Sequence, residues 1–252
     1  MKLTLLGTGN AAQVPVYNCG CVACARARVA PPYRRQACSA LLQLRDQTWL
    51  IDGGLTDLTE RFAPGVLTGI LQTHYHADHA MGLLHLRWGK DMTLPVLGPA
   101  DPEGLADLFK YPGILDFSRT LQAFDTIALN EATLTAVPLN HSRPTLGYVV
   151  RSPAGSMAYL TDTVGLPPDT TRYLQRHPVD VLVIDCSYPP QPAAPRNHND
   201  LTRVLDCTAP LPVKKVVLTH IGHEFDNWLM TRGGDLPGHI TVARDADVFT
   251  LA

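Results

Sequence analysis

The sequence predicts an α/β domain, and three observations carry that expectation. Short apolar runs recur at residues 2–6, 39–44, 48–52, 66–72, 147–150, 157–161, 181–184 and 215–219, each of strand length and bounded by turn-forming residues. Stretches of helical spacing lie between several of them, around 55–62, 102–109 and 200–205. Many of the runs also end on a titratable or metal-binding side chain: Asp52, His74, Asp162, Asp185 and His220. Strand ends cluster along one rim of a sheet, so these polar ends are expected to meet.

Bulk properties narrow the class. With 252 residues and 45% hydrophobic content, residues 1–252 are expected to form a single domain with one substantial core. No repeat, low-complexity tail or linker divides it. A net charge of −2 with 17% charged residues gives no basic field for a nucleic-acid partner. The opening residues read as a strand and no run reaches membrane-spanning length, so a cytoplasmic protein without a membrane partner is expected.

The first strand, 2–6, is followed by Gly7-Thr8-Gly9-Asn10-Ala11-Ala12, which formally matches the dinucleotide pattern G-x-G-x-x-A. That pattern must open a helix, whereas Val14-Pro15 and a cysteine loop follow, so the nucleotide reading fails. The loop, at about 17–38, carries Cys19-x-Cys21-x2-Cys24. This spacing suits a grip on metal better than a disulfide. With His223 as a candidate fourth ligand it would complete a closed tetrahedral zinc site, structural because no coordination position would stay open.

Strands 39–44 and 48–52 form a hairpin around Arg45-Asp46-Gln47, and Gly53-Gly54 then breaks the pattern before a short helix within 55–62. The strand at 66–72 delivers Thr73-His74-Tyr75-His76-Ala77-Asp78-His79. Three imidazoles and a carboxylate in six residues bury poorly unless something compensates them, and a metal compensates all four. His74 and His76, two apart in an extended segment, can face one ion; Asp78 and His79, past the turn, can face another.

Downstream, a helix is expected over 102–109 with Asp101 as its cap. Alternation over 121–137 stops just before His141, and a second hairpin through Ser152-Pro153-Ala154-Gly155 ends on Asp162. The runs 181–184 and 215–219 read as strands covered on both faces. A proline-rich stretch, 189–195, leads to His198, and a helix starts near Asp200. His141, Asp162 and His220 are the natural remaining ligands, and a carboxylate at 162 could bridge two ions about 3.5–4 Å apart.

The ordered set Asp52, His74-x-His76-x-Asp78-His79, His141, Asp162, His220 resembles the metallo-β-lactamase superfamily over nearly the whole chain. The resemblance implies a four-layer αβ/βα sandwich with a dinuclear centre at one edge of its paired sheets. It implies that His74, His76 and His141 hold one ion, that Asp78, His79 and His220 hold the other, and that Asp162 bridges. Asp52 would orient a liganding imidazole through its other ring nitrogen. An aspartate at 162, where lactamases place a cysteine, points to phosphodiesters. The segments His141-Ser142-x4-Gly147-Tyr148 and Gly7-Thr8-Gly9 are similar to the tRNA 3′-processing endonucleases. Yet only twenty residues lie between His141 and Asp162, little room for a tRNA-gripping arm.

The cysteine triad with His223, together with Tyr33-Arg34-Arg35-Gln36, Asp185-Cys186-Ser187 and Pro195-Arg196-Asn197-His198, resembles the PhnP family, the phosphoribosyl cyclic phosphodiesterases of the carbon–phosphorus lyase pathway. This implies a homodimer that converts 5-phospho-α-D-ribose 1,2-cyclic phosphate to α-D-ribose 1,5-bisphosphate in phosphonate catabolism. Two divalent active-site ions, manganese or zinc, and one structural zinc would serve it. 2′,3′-Cyclic nucleotides are a further expected substrate class. His198 aligns with the family's general acid. Arg34, Arg35, Arg143 and Arg196 are candidate anchors for a substrate phosphate, because guanidinium matches phosphate bidentately. The rival readings are a tRNA 3′-processing-type endonuclease and a non-hydrolytic dinuclear metal protein.

Overall fold

The computed structural model describes residues 1–193, 195–232 and 236–251. The first half of the chain forms β1 (Lys2–Gly7), β2 (Ser39–Gln43), β3 (Thr48–Ile51), β4 (Gly69–Leu71), β5 (Leu94–Pro99), β6 (Leu115–Asp116) and β7 (Thr120–Leu121). The second half forms β8 (Thr126–Leu129), β9 (Ala132–Pro138), β10 (Leu146–Ser152), β11 (Gly155–Leu160), β12 (Val179–Asp185), β13 (Val213–Thr219), β14 (Ile240–Val242) and β15 (Val248–Thr250). The helices are α1 (Val22–Val29), α2 (Leu58–Arg61), α3 (Ala77–Ala80), α4 (Leu83–Leu86), α5 (Ala106–Lys110), α6 (Pro168–Arg176), α7 (Leu201–Thr208) and α8 (His223–Arg232).

Two mixed sheets result. One runs β15-β1-β2-β3-β4-β5-β6, with β7 also on β5; the other runs β14-β13-β12-β11-β10-β9-β8. Strand alternation explains how they assemble. In β12, Val181 and Val183 face the other sheet and join Leu3, Leu42, Ile51, Tyr148 and Tyr159 in the central core. Leu182 and Ile184 point the opposite way, into a second core with Leu174 of α6, Val204 of α7 and Phe225 of α8. A third core joins Leu50, Ile70 and Val96 to Leu58 of α2, Leu83 of α4 and Leu108 of α5. Helix, sheet, sheet and helix thus stack as the expected four-layer αβ/βα sandwich. Each fully buried Leu, Ile or Val contributes roughly 1.5–3 kcal/mol by leaving water.

Strand direction places the site. β3, β4 and β5 are mutually parallel, as are β11, β12 and β13. β9 is antiparallel to β10, which is antiparallel to β11, so β9 runs with β11. Within each sheet these strands deliver their C-terminal residues to one edge, and His79, 2.7 Å from Asp52 after β3 and 3.3 Å from Asp162 after β11, shows that the two edges meet in one rim. Tyr148 Oη ties the two sheets there, donating to the carbonyl of Gln72 at 2.5 Å.

The structure corrects several local expectations. Asp101 does not cap a helix: it closes a turn, accepting from the N–H groups of Glu103 at 3.0 Å and Gly104 at 3.1 Å, and α5 starts only after Leu105. Gly104, at φ +46°, takes the left-handed backbone that ends that turn. The strand expected over 66–72 is ordered as a ladder only at β4. Within the cysteine loop, α1 forms with Cys21 as its N-cap, accepting from Cys24 N–H. The Gly7-Thr8-Gly9 pattern has a packing cause: a Cβ on Gly7 would lie 2.0 Å from the carbonyl oxygen of Ala37.

Candidate metal centre

The rim gathers seven predicted ligands into two adjoining nests. In the first, the Nδ1 of His76 lies 3.0 Å from the Nε2 of His74 and 3.0 Å from that of His141. Asp162 Oδ2 is 3.7 Å from both Nε2 atoms. In the second, Asp162 Oδ2 lies 3.3 Å from His79 Nε2 and 3.4 Å from His220 Nε2, and Asp78 Oδ2 is 3.5 Å from each. Asp162 is common to both nests.

Local folding explains these positions. His74 and His76 extend from the end of β4, and α3 then turns Asp78 and His79 back toward the same point. Gly54 allows that turn to approach: a Cβ there would sit 1.7 Å from the carbonyl oxygen of Asp78. His220 follows β13 at φ +57°, a left-handed step that swings its ring to the rim.

The hydrogen-bond network fixes the tautomers. His79 Nδ1–H donates to Asp52 Oδ2 at 2.7 Å, and His141 Nδ1–H donates to the carbonyl of Asn197 at 3.0 Å. Thr73 Oγ1 donates to Asp52 at 2.8 Å and so accepts from His74 Nδ1–H at 3.0 Å. Ser187 Oγ, which donates to the His220 carbonyl at 2.9 Å, accepts from His220 Nδ1–H at 2.9 Å. The four Nε2 lone pairs are thereby aimed into the nests. Among the described residues, the buried Nε2 atoms of His79 and His220 have no hydrogen-bond partner.

These observations fit divalent cations. Four ligands about 2.0–2.1 Å from one ion at tetrahedral angles stand roughly 3.3 Å apart, the scale seen in both nests. Charge agrees. Burial pushes the Asp78 carboxyl up, but His220 and His79 outweigh it and hold it at about 2. Burial likewise opposes charge on Asp162, yet the imidazoles of His220 and His79 keep it well below the usual carboxylate range. Burial lowers the His79 imidazole, but Asp162 and Asp52 lift it well above its ordinary value. The nest therefore demands positive charge, which a cation supplies without consuming the lone pair.

Asp52 sits behind this set, fully buried, with its carboxylate spent on Thr73 N–H at 2.7 Å, Thr73 Oγ1 and His79. Its expected part, orienting a ligand, has a direct test. Asp52→Asn should lower metal affinity and activity by about 10–100-fold, the scale for residues that orient metal ligands. Metal titration followed by an activity assay checks this, and unchanged affinity would remove Asp52 from the site.

The cysteine cluster forms a separate nest. Cys19 Sγ and Cys21 Sγ each lie 3.5 Å from His223 Nδ1, and Cys24 Sγ accepts from Val16 N–H at 3.4 Å. Zinc with Zn–S near 2.3 Å and Zn–N near 2.0–2.1 Å places sulfur and nitrogen roughly 3.5 Å apart. None of the six cysteines is in a disulfide. Burial pushes the Cys24 thiol up to about 11, so a thiolate there needs a cation beside it. Cys21→Ala is expected to remove one zinc and lower Tm by more than roughly 5 °C, since structural zinc binding is folding free energy. Metal analysis should show the rim ions retained; their loss would mean the two sites are one cooperative unit.

His198 lies beside the nests, its ring stacked on His220 at 4.7 Å between centroids. Its Nδ1 is 2.9 Å from Asp185 Oδ2. Burial lowers its pKa, but Asp185 outweighs burial and raises it to about 9. Asp185 was expected among the polar strand ends but given no part in the site, and Ser187 and Gln72 were not foreseen as members of it. Gln72 Nε2 donates to the carbonyls of His74 at 2.6 Å and His79 at 2.9 Å, holding the ligand loop. A signal for Asp185 did exist: it ends an apolar strand as Asp52 and Asp162 do.

The arginine expectations need correction. Arg35 is buried away from the rim, with its guanidinium spent on Asp226 at 2.7 and 2.8 Å, Thr8 and the Ala243 carbonyl. Arg34 lies beside it and donates to the carbonyls of Ala27 and Arg28. Arg143 is near the rim, but its charge is matched by Glu103 at 2.9 Å and Asp101 at 3.2 Å while it donates to the carbonyls of Tyr75 and Gly104. It clamps loops around the site. Arg196 is exposed two residues before His198, and among the described residues no ion pair engages it.

Paired sheets with outer helices, and a rim carrying two nests that share one carboxylate, define an αβ/βα protein whose rim groups could hold metal ions. A family model described as a beta-lactamase superfamily domain matches residues 50–221, well over half of the chain, and the chain belongs to that superfamily. The match spans every rim ligand from His74 to His220. Within the superfamily the chain resembles a diphosphatase from the PhnP family, at 28% identity and a TM-score of 0.78, covering 98% of this chain and 96% of that one. Zn(2+)-bound PqqB from Methylobacterium extorquens shares the fold at a TM-score of 0.80 and 17% identity, with 100% of both chains covered. A ribonuclease Z from Exiguobacterium sp. AT1b is 29% identical over 168 residues, covering 61% of this chain and 50% of that protein. The chain spans about half the length of the curated relatives it matches. None of its described helices is long and apolar enough to cross a membrane.

Proposed function

We propose that this chain is a metal-dependent phosphodiesterase that hydrolyses a small cyclic ribose phosphate. The substrate would be 5-phospho-α-D-ribose 1,2-cyclic phosphate, opened to α-D-ribose 1,5-bisphosphate. One observation carries the reading: two candidate cation nests share Asp162, and the His198 imidazole lies beside them with its Nδ1 2.9 Å from Asp185 Oδ2 and 3.9 Å from Asp162 Oδ2.

When bound, a pair of divalent cations supplies a water acidified toward neutral pH and positive charge for the phosphoryl oxygens. The remaining work falls to the chain. Water oxygen forms a bond to phosphorus, the bond from phosphorus to the ribose 2-oxygen breaks, and the phosphate stays on C1. The departing oxygen takes a proton, and His198 gives it from Nε2 while Asp185 holds Nδ1 and keeps the ring charged. Asp162, Asp78 and the imidazoles keep the ions in place, and Asp52 and Ser187 keep the imidazoles turned inward. Arg196, exposed and without an ion-pair partner among the described residues, is the arginine best placed to meet the 5-phosphate.

The similarity to a PhnP-family diphosphatase supports a small phosphate substrate. The similarity to ribonuclease Z favours a second reading, a tRNA 3′-processing endonuclease. Against it stand the net charge of −2 and the short connection from His141 to Asp162, occupied by the β10–β11 hairpin. Product analysis separates them. Metal-loaded protein should open the ribose cyclic phosphate, and more slowly a 2′,3′-cyclic nucleotide, while leaving precursor tRNA intact. Cleavage of tRNA alone would establish the second reading, and turnover of none would end both.

A further inference from the structure

Outside the rim, a cavity of about 270 Å³ opens between the cysteine loop and α8, and four arginines line it. Its floor is Arg35, whose charge Asp226 neutralises. Arg26, Arg34 and Arg244 complete the lining, and among the described residues none of these three has a carboxylate partner. Among the described residues, Arg34 is held only by backbone carbonyls, and the Nε of Arg26 is buried without a hydrogen-bond partner. Arg26 lies over the Tyr33 ring at 3.9 Å and Arg244 at 5.5 Å, so the aromatic face positions two guanidiniums toward the same space.

Such a cluster is out of character for a chain of net charge −2. Three like charges held together in a partly enclosed space repel one another, and an anion placed among them relieves that repulsion while supplying acceptors for their unmet N–H groups. We infer that this cavity is a second binding site, separate from the metal rim, for a small phosphate-bearing anion such as inorganic phosphate or a sugar phosphate. The volume is near the lower end of small-molecule sites, which suits a compact anion. Guanidinium forks favour phosphate because they meet it bidentately. Guanidiniums already engage the Tyr33 ring, so recognition rests on charge and not on stacking a base.

Location gives the site a structural consequence. Arg26 lies two residues past Cys24 on α1, and Asp226, which anchors Arg35, lies three residues past His223 on α8. A bound anion therefore braces the elements that supply the cysteine nest.

Titration calorimetry of the metal-loaded protein with inorganic phosphate tests this, using wild type and Asp162→Asn, each alone, with Arg244→Gln, and with Arg26→Gln/Arg244→Gln. Arg244 is exposed, so the single variant should fold. With the rim impaired by Asp162→Asn, phosphate binding should persist, weaken about tenfold or more when Arg244→Gln is added, and vanish when Arg26→Gln is added as well. Hydrolytic kcat/KM should stay unchanged in both arginine variants of wild type. Equal affinity in Asp162→Asn with and without Arg244→Gln would overturn the inference, as would binding lost in Asp162→Asn alone or absent from wild type.

Discussion

Replacing Asp162 by asparagine is expected to cut kcat/KM by on the order of 10³ or more, the scale for removing a single electrostatic stabiliser from a reacting site. The substitution keeps side-chain volume, so the buried position stays filled and folding should survive. What changes is charge: Asp162 Oδ2 lies within 3.7 Å of four imidazole nitrogens, those of His74, His141, His79 and His220. An amide at that point supplies no anion to either nest. Metal analysis should find the rim ions lost or much weakened while the cysteine site keeps its zinc. Full activity with a normal metal complement would show that Asp162 does not bridge.

His198→Ala is expected to separate catalysis from metal binding. The ring stacks on His220 but contributes to neither of the two main nests, so the metal content should hold. The loss in kcat should be about 10²–10⁴-fold on a sugar phosphodiester, the range for positioned general acids. It should be much smaller on an aryl phosphodiester whose leaving oxygen departs without a proton. Equal losses on both substrates would assign His198 a purely structural part.

The candidate ligands gathered at the rim were legible in the sequence for a physical reason. His74 to His79 are adjacent in the chain, and the others end apolar strands, so local pattern and strand direction together bring them to the rim. The supporting groups were harder to read. Ser187 and Gln72 act through bonds fixed only by the fold, Ser187 reaching a ring 33 residues away. Arg35 misled for the same reason: its partner Asp226 stands 191 residues downstream, so its charge looked free. Helix α1 was missed because Val22–Val29 has no clear apolar stripe, and its burial comes through Ala23, Cys24 and Ala27 around the cysteine nest. The Asp101 turn was mistaken for a cap because aspartate serves both, and only Gly104 in a left-handed conformation decides between them.

The central claim is that one carboxylate is shared by two cations at the rim. Anomalous diffraction from crystals of the metal-loaded protein tests it directly. The account predicts two peaks about 3.5–4 Å apart flanking Asp162, the spacing of two-metal hydrolytic sites, and a third among Cys19, Cys21, Cys24 and His223. A single rim peak, or a pair that Asp162 does not touch, would contradict it.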